Sequence, residues 1–166
     1  VTAGYDRGRF RLVRNAIKPT LFQIPSNPAV RQIVRECGLR PTLLFAGSVV
    51  ETKGMATLIK AAPLLAARLP GVKLVIAGNG DERFMSVWRK SNSSTVRVLG
   101  RVPFQEMRAL YAAADLTVIP SLWYENSPMV IYESLLSGTP VLGSEIGGIP
   151  ELIESGKTGY LFPPGD

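Results

Sequence analysis

The sequence of 166 residues predicts a doubly wound, Rossmann-like α/β domain with a parallel sheet of about six strands. From residue 42 onward, short apolar runs of strand length alternate with longer amphipathic runs. The short runs are continuously apolar, which is typical of strands buried on both faces of a sheet. Strands that alternate with helices in this way form parallel sheets with right-handed crossovers. At 46% hydrophobic and 19% charged, the composition excludes a disordered polar segment.

The elements are predicted one after another along the chain. The predicted strands are 42–47, 72–78, 95–100, 115–121, 140–144 and 158–162. The predicted helices are 55–69, 82–91, 105–114, 128–137 and 150–155. Pro63 lies within the first of these helices and should kink it or remove one hydrogen bond. Ser127 is a favoured N-cap, Pro128 suits the first helical position, and Gly138 suits a C-terminal stop.

Residues 1–40 are less regular and strongly basic. They hold eight Lys/Arg and two acidic residues, whereas residues 41–166 hold eleven residues of each sign. We interpret 1–40 as a basic linker and the start of the domain, and 41–166 as the ligand-binding domain. A short strand is expected near Arg11–Asn15, and a helix near Ala29–Cys37 that Gly38 ends. A basic segment of this kind can contact nucleic acid or anionic lipid. We interpret it as a solvated connection and expect no nucleic-acid partner.

The residue inventory excludes several kinds of site. Histidine is absent, so no His general base, nucleophile or metal ligand is available. The aspartates form no Asp-x-Asp pair, and we therefore expect no metal site. Cys37 is the single cysteine and cannot form an internal disulfide, which favours a reducing, cytoplasmic compartment. No apolar run approaches the roughly 18 residues that a membrane-spanning helix needs.

The clearest candidate site surrounds the start of helix 128–137. The first N–H groups of a helix are unpaired and, with the helix dipole, favour an anion. Glu125 lies just before this helix, and Glu133 lies about one and a half turns inside it. Helical side chains tilt toward the N-terminus, so the two carboxylates should flank one anion site. The alternatives are that Glu125 is a loop residue without a functional role and that Glu133 is an exposed residue of the helix.

Other candidate residues follow other predicted strands. These are Gly47, Ser48 and Lys53 in AGSVVETKG, Gly78 and Gly80 in AGNGDER, Arg101 and Val102 in LGRVP, and Gly147 and Gly148 in GGIPELIESG. Each segment alone also fits an ordinary turn. Because the carboxyl ends of parallel strands share one edge of the sheet, together they favour one crevice for a nucleotide diphosphate.

Several motifs stand in a specific order, namely VRNAIKPTLF, LLFAGSVVETKG, LVIAGNGDER, VRVLGRVPFQEMRALYAAADLTVIPS, ENSPMVIYESLLSGTPVLGS, GGIPELI and GKTGYLFPPGD. Through them, residues 11–166 resemble the C-terminal, donor-binding domain of group 1 glycosyltransferases. These are retaining enzymes with the GT-B fold, of which this domain would be one half. The family's Glu-x7-Glu motif falls on Glu125 and Glu133.

The resemblance implies a role for each matching residue. Glu125 would contact hydroxyls of the transferred sugar, Glu133 would bind the ribose, and Lys53 would bind the diphosphate. Main-chain groups around Ser127, Met129 and Val130 would hold the diphosphate and sugar, and Arg101 and Val102 would lie beside the base. Gly47, Gly78 and Gly80 belong to the same expected donor site. Where the family often has an arginine after the first strand's glycine, this chain has Ser48.

The resemblance also implies an activity, namely metal-independent, retaining transfer of a hexose from a UDP-, GDP- or ADP-sugar, without a cofactor, in polysaccharide or glycolipid assembly. The acceptor would be bound by an N-terminal domain outside this sequence. We therefore expect these 166 residues to bind the donor without transferring it. A cytoplasmic location with peripheral contact to an anionic inner-membrane face is a further expectation.

Two alternatives remain open. One is an NAD-type oxidoreductase domain on the same fold, which needs a full G-x-G-x-x-G and an acidic residue about 20 positions later. The loop after Gly78 lacks the third glycine of that pattern. The other is a sugar-nucleotide-binding module without catalytic activity.

Overall fold

The structure is a computed structural model that describes residues 15–17, 28–37, 41–90 and 94–166. Its strands are β1 (Thr42–Ala46), β2 (Lys73–Ala77), β3 (Val96–Gly100), β4 (Leu116–Ile119), β5 (Val141–Ser144) and β6 (Gly159–Phe162). Its helices are α1 (Pro28–Cys37), α2 (Met55–Arg68), α3 (Glu82–Lys90), α4 (Phe104–Ala113) and α5 (Met129–Leu136), with a 3₁₀ helix at Glu51–Lys53. The six strands form one parallel sheet, which confirms the predicted fold class.

The strand order is β3-β2-β1-β4-β5-β6. The chain moves outward from β1 to β3, crosses back through α4, and then moves outward again from β4 to β6. β1 and β4 are therefore neighbours whose following segments leave in opposite directions, with Leu43 of β1 opposite Leu116 of β4. In sheets of this kind, ligands bind at the carboxyl ends of the two strands where the order reverses.

Apolar side chains of the central strands alternate between two cores, one on each face of the sheet. Leu44 of β1 and Val75 of β2 pack with α1 and α4 on one face. Phe45 and Ile76, the next residues of the same strands, pack with α2 and α3 on the other face. Burial of each such side chain contributes about 1.5–3 kcal/mol. This burial on both faces explains why the strands are continuously apolar in sequence.

The first described helix, α1, belongs to the folded core although it lies in the basic region 1–40. Val30 and Ile33 are both buried and pack with residues of α4. The helix agrees with the prediction for 29–37 to within one residue. Gly38 and most of the predicted strand near Arg11–Asn15 lie outside the described residues, and Asn15 itself has no regular secondary structure.

At the start of α5 the prediction is wrong, and at its end the prediction is confirmed. α5 begins at Met129, with Pro128 at the N-cap, so the predicted start was one residue too early. The Ser127 hydroxyl does not cap the helix; it lies 2.9 Å from the phenol of Tyr132 and is hydrogen-bonded to it. At the other end, Gly138 has φ +81°, and its N–H and that of Thr139 bond to carbonyls of the last turn. Gly138 therefore ends the helix as predicted, in a Schellman arrangement.

The predicted helix at 150–155 is wrong, because this segment forms turns. The Gly148 N–H donates to the carbonyl of Glu125 at 2.6 Å, which fixes the segment against the loop before α5. Ile149 and Ile153 then reach the same apolar cluster as Val141 of β5. Contacts outside the segment therefore determine its backbone. Pro63 is accommodated inside α2, which continues to Arg68.

Gly54 is expected to tolerate substitution much less well than Gly138, although both have positive φ. A Cβ at Gly54 would lie 1.7 Å from the carbonyl oxygen of Pro120, whereas one at Gly138 would meet nothing within 4 Å. Gly138→Ala should therefore cost about 1 kcal/mol of unfolding free energy, from backbone strain alone. Gly54→Ala should cost about 3 kcal/mol or more. Urea unfolding measures both, and equal losses would contradict the role assigned to the Pro120 contact.

Candidate functional site

Two adjoining cavities lie at the carboxyl ends of β1 and β4. The larger cleft, of about 610 Å³, is lined by Ala46, Gly47, Ser48, Ala77, Gly78, Asn79, Arg101, Val102, Pro103, Phe104, Met107, Val130 and Glu133. The smaller cavity, of about 210 Å³, is lined by Phe45, Ala46, Gly47, Ser48, Lys53, Val118, Ile119, Pro120, Ser121, Glu125, Pro128 and Val130. Ala46, Gly47, Ser48 and Val130 line both, so the two cavities adjoin at the predicted edge of the sheet, and we refer to them together as the crevice.

Lys53 and Glu125 form an ion pair in the smaller cavity. Lys53 is the last residue of the 3₁₀ helix that follows β1, and Glu125 lies in the loop that follows β4. The Ser121 hydroxyl donates a hydrogen bond of 2.9 Å to Oε1 of Glu125, the same oxygen that Lys53 contacts. The Glu125 side chain is 15% exposed and that of Lys53 is 34% exposed, so the pair is only partly screened by water.

Glu133 lines the larger cleft and is held from below by Tyr111 of α4. The Tyr111 phenol donates a hydrogen bond of 2.7 Å to Oε2 of Glu133. Burial raises the pKa of Tyr111, and the negative charge of Glu133 and the hydrogen bond act in the same direction. The phenol therefore stays protonated at neutral pH and remains a donor. The two predicted carboxylates thus lie in neighbouring parts of one crevice, each with a different kind of partner.

The loops after β1 and β2 pack against each other backbone to backbone. The Gly47 N–H donates to the carbonyl of Ala77 at 3.0 Å. A Cβ at Gly78 would lie 1.8 Å from the carbonyl oxygen of Gly47, and one at Gly80 would lie 2.3 Å from that of Val49. Both glycines are therefore required by the contact between the loops. Of the two, Gly78 lines the cleft, and Gly80 lines neither cavity.

The start of α5 meets the crevice through Val130, which lines both cavities, and Pro128, which lines the smaller one. Two other predicted residues of this segment, Ser127 and Met129, line neither. The carbonyl of Ser127 accepts a hydrogen bond of 2.9 Å from the side chain of Asn15. Because Pro128 and Val130 line the smaller cavity, the N-terminal end of the α5 dipole lies beside it and favours negative charge there.

Arg101 and Val102 line the larger cleft, as their place after β3 predicts, and Arg101 is exposed. Six lining residues of this cleft were not among the predicted site residues, namely Ala46, Ala77, Asn79, Pro103, Phe104 and Met107. Asn79 could have been found, since it stands between Gly78 and Gly80 directly after a strand. Tyr111 was also missed, because its partner Glu133 is 22 residues away along the chain.

Two kinds of feature are absent from the described part of the chain. Among residues 15–17, 28–37, 41–90 and 94–166, no group of three or more Cys, Asp or Glu side chains is placed to hold a metal ion. Within the same ranges, no helix has the length and apolar character needed to cross a bilayer.

Comparison with known proteins gives consistent similarities. Residues 40–166 match the family model described as glycosyl transferases group 1. A phosphatidyl-myo-inositol mannosyltransferase from Mycobacterium leprae is 30% identical over 149 residues, which cover 89% of this chain and 40% of that protein. The chain thus spans about two fifths of the length of the curated relatives it matches.

Solved structures share the fold. The Anabaena HepE protein in complex with UDP-glucose matches with a TM-score of 0.74 and 26% identity, over 92% of this chain and 43% of that one. The C-terminal domain of a glycosyl transferase group 1 family protein from Francisella tularensis matches with a TM-score of 0.69. That match covers 90% of this chain and 80% of the other, and at 20% identity it shows the fold alone.

Proposed function

Because the chain belongs to the glycosyl transferases group 1 family, we propose that its crevice binds a nucleotide-diphosphate sugar as the donor for glycosyl transfer. The sheet matches GT-B glycosyltransferase structures, among them that of the Anabaena HepE protein in complex with UDP-glucose. The observation that carries the proposal is the Lys53–Glu125 pair in a cavity that adjoins the cleft lined by Glu133. A cation and two carboxylates in adjoining cavities support the proposal.

In this proposal the nucleoside occupies the larger cleft. Its base lies beside Arg101 and Val102, and its ribose lies at Glu133. A carboxylate that accepts two neighbouring hydroxyls is a common way to hold a ribose on a doubly wound sheet. Glu133 is 9% exposed, so it presents a small, fixed surface to the cleft. This supports an acceptor role better than the alternative of an exposed helix position.

The diphosphate would lie where the two cavities meet, between Lys53 and the start of α5. A diphosphate beside Glu125 alone would be repelled by that carboxylate. Lys53 offsets the charge of Glu125 and leaves further N–H donors for phosphate oxygens. The α5 dipole adds about half an elementary charge of the same sign. Glu125 then remains free to accept hydroxyls of the sugar on the outer phosphate.

We propose retaining transfer, with Lys53 and the α5 N-terminus stabilising the charge that develops on the leaving diphosphate. The bond between the anomeric carbon and the phosphate oxygen breaks, and the acceptor oxygen bonds to that carbon on the same face. The proton of the acceptor hydroxyl passes to the leaving phosphate. This route needs neither a covalent nucleophile from the chain nor a metal to bind the diphosphate.

The acceptor and the biological pathway belong to the whole protein. We propose that an N-terminal domain outside these residues binds the acceptor, and that the 166-residue chain alone binds the donor without transferring it. Polysaccharide or glycolipid assembly by a hexosyltransferase in the cytoplasm, with peripheral contact to an anionic membrane face, is the proposed setting. The named activity of the Mycobacterium leprae relative, on phosphatidyl-myo-inositol, supports a lipid-linked acceptor.

Calorimetric titration of this chain with UDP, GDP, ADP, their sugar conjugates and NADH tests the proposal. We expect at least one nucleoside diphosphate to bind and NADH not to bind. Lys53→Met should weaken that binding by about 30-fold, because the variant leaves Glu125 uncompensated beside the phosphates. Lys60→Met is the matched control, since Lys60 is exposed on α2, away from both cavities, and should leave binding unchanged.

A double variant separates the roles of the pair. Lys53→Met/Glu125→Gln removes the uncompensated charge and should recover most of the affinity for the nucleoside diphosphate. It should not recover affinity for the sugar conjugate, because Glu125 no longer accepts the sugar hydroxyls as a carboxylate. Unchanged binding in Lys53→Met, or binding of NADH instead of any nucleoside diphosphate, would contradict the proposal.

Ser48→Arg should strengthen binding of the same nucleoside diphosphate by about fivefold. Ser48 is exposed and lines both cavities, so an arginine there would add a cation next to the proposed diphosphate position. Ser48→Gln is the control, because it adds a long polar side chain without charge. The gain should shrink as salt is raised, since exposed charges are screened. An equal gain in both variants would show that charge is not its cause.

A further inference from the structure

We propose that Tyr111 is a positioning residue for the nucleotide: its phenol holds Glu133 so that the other carboxylate oxygen accepts the ribose hydroxyls. This inference rests on the proposed function and adds a residue to the same site. Tyr111 lies on α4 beneath the cleft and does not line it. It therefore touches no ligand and acts only through Glu133.

The geometry divides the two oxygens of Glu133 between the protein and the cleft. Oε2 accepts the 2.7 Å hydrogen bond from Tyr111, whose side chain is completely buried. Among the described residues, Oε1 accepts no hydrogen bond. A free glutamate side chain has several rotatable bonds, and ordering it on binding would cost affinity. The Tyr111 bond orders the carboxylate before the ligand arrives.

A buried network of hydrogen bonds holds the backbone of Tyr111 in place. Its backbone carbonyl accepts a hydrogen bond from the hydroxyl of Thr139, in the connection between α5 and β5. The Ser134 hydroxyl lies 2.8 Å from the carbonyl oxygen of Thr139 and from the hydroxyl of Thr117 on β4. These buried bonds tie the end of α4 to α5 and to the sheet. The position of the phenol therefore follows from the fold and does not depend on a flexible loop.

The donor character of Tyr111 is also assured. Burial, the charge of Glu133 and their hydrogen bond all raise the pKa of the phenol, so it stays protonated at neutral pH. A neutral donor fixes the carboxylate without neutralising its charge. If Tyr111 served only to fill the core, the affinity for the nucleotide would not depend on its hydroxyl group. Removing that oxygen therefore distinguishes a positioning role from packing.

The test uses this chain, with UDP or whichever of GDP and ADP binds more tightly, and with the 2′,3′-dideoxy analogue of that nucleotide. Tyr111→Phe keeps the ring and removes the hydroxyl. We expect it to weaken binding of the ribonucleotide by about fivefold and that of the dideoxy analogue by less than about twofold. Ser144→Ala is the matched control. It removes a buried hydroxyl of β5, which lines neither cavity and lies outside the network around Tyr111, and it should leave the ratio of the two affinities unchanged.

Glu133→Gln keeps the test decisive if Tyr111→Phe also lowers stability. This variant should reduce the preference for the ribonucleotide, and adding Tyr111→Phe to it should cause little further loss. Equal weakening of both ligands in Tyr111→Phe, or no weakening of either, would overturn the inference. If the unaltered chain binds both ligands equally, the inference fails while the donor site stands. If it binds no nucleoside diphosphate, the proposed function fails as well.

Discussion

Every group of the site depends on the central position of β1, which is hydrogen-bonded to β2 on one side and to β4 on the other. Because these strands are parallel, their carboxyl ends lie at one edge of the sheet. The chain leaves β1 toward α2 and leaves β4 toward α5, and the crevice lies at the carboxyl ends of these two strands. Lys53 reaches this crevice from the β1 side and Glu125 from the β4 side.

Glu125 and Glu133 both lie in the crevice, but their partners differ in charge. Glu125 has a cation as its partner, so this end of the site is close to neutral as a pair and can accept an anion. Glu133 has a neutral phenol, and no cation, as its partner among the described residues. The first arrangement suits a phosphate with hydroxyls next to it, and the second suits hydroxyls alone. These two kinds of partner support the proposal that a sugar nucleotide binds along the crevice.

Most of the fold could be predicted from sequence because its determinants are local. Short, mostly apolar runs marked every strand, and helical spacing marked α2 to α5, with ends that differ from the structure by one or two residues at most positions. The failures share one cause, a contact with a distant or unexpected partner. Residues 150–155 are fixed by the loop at Glu125, and Ser127 bonds to Tyr132 in place of capping α5.

The site residues likewise fall into those that the sequence predicts and those that depend on a distant contact. Lys53, Glu125, Arg101 and Val102 were found because they stand near strand ends, where topology alone brings them to one edge. Tyr111 could not be found, because a residue inside α4 gives no sequence signal that it touches α5. Strand order specifies which loops meet, but only the packing of α4 against α5 specifies which side chains support them. The chemistry of a predicted carboxylate can therefore be assigned only when the residue that supports it is known.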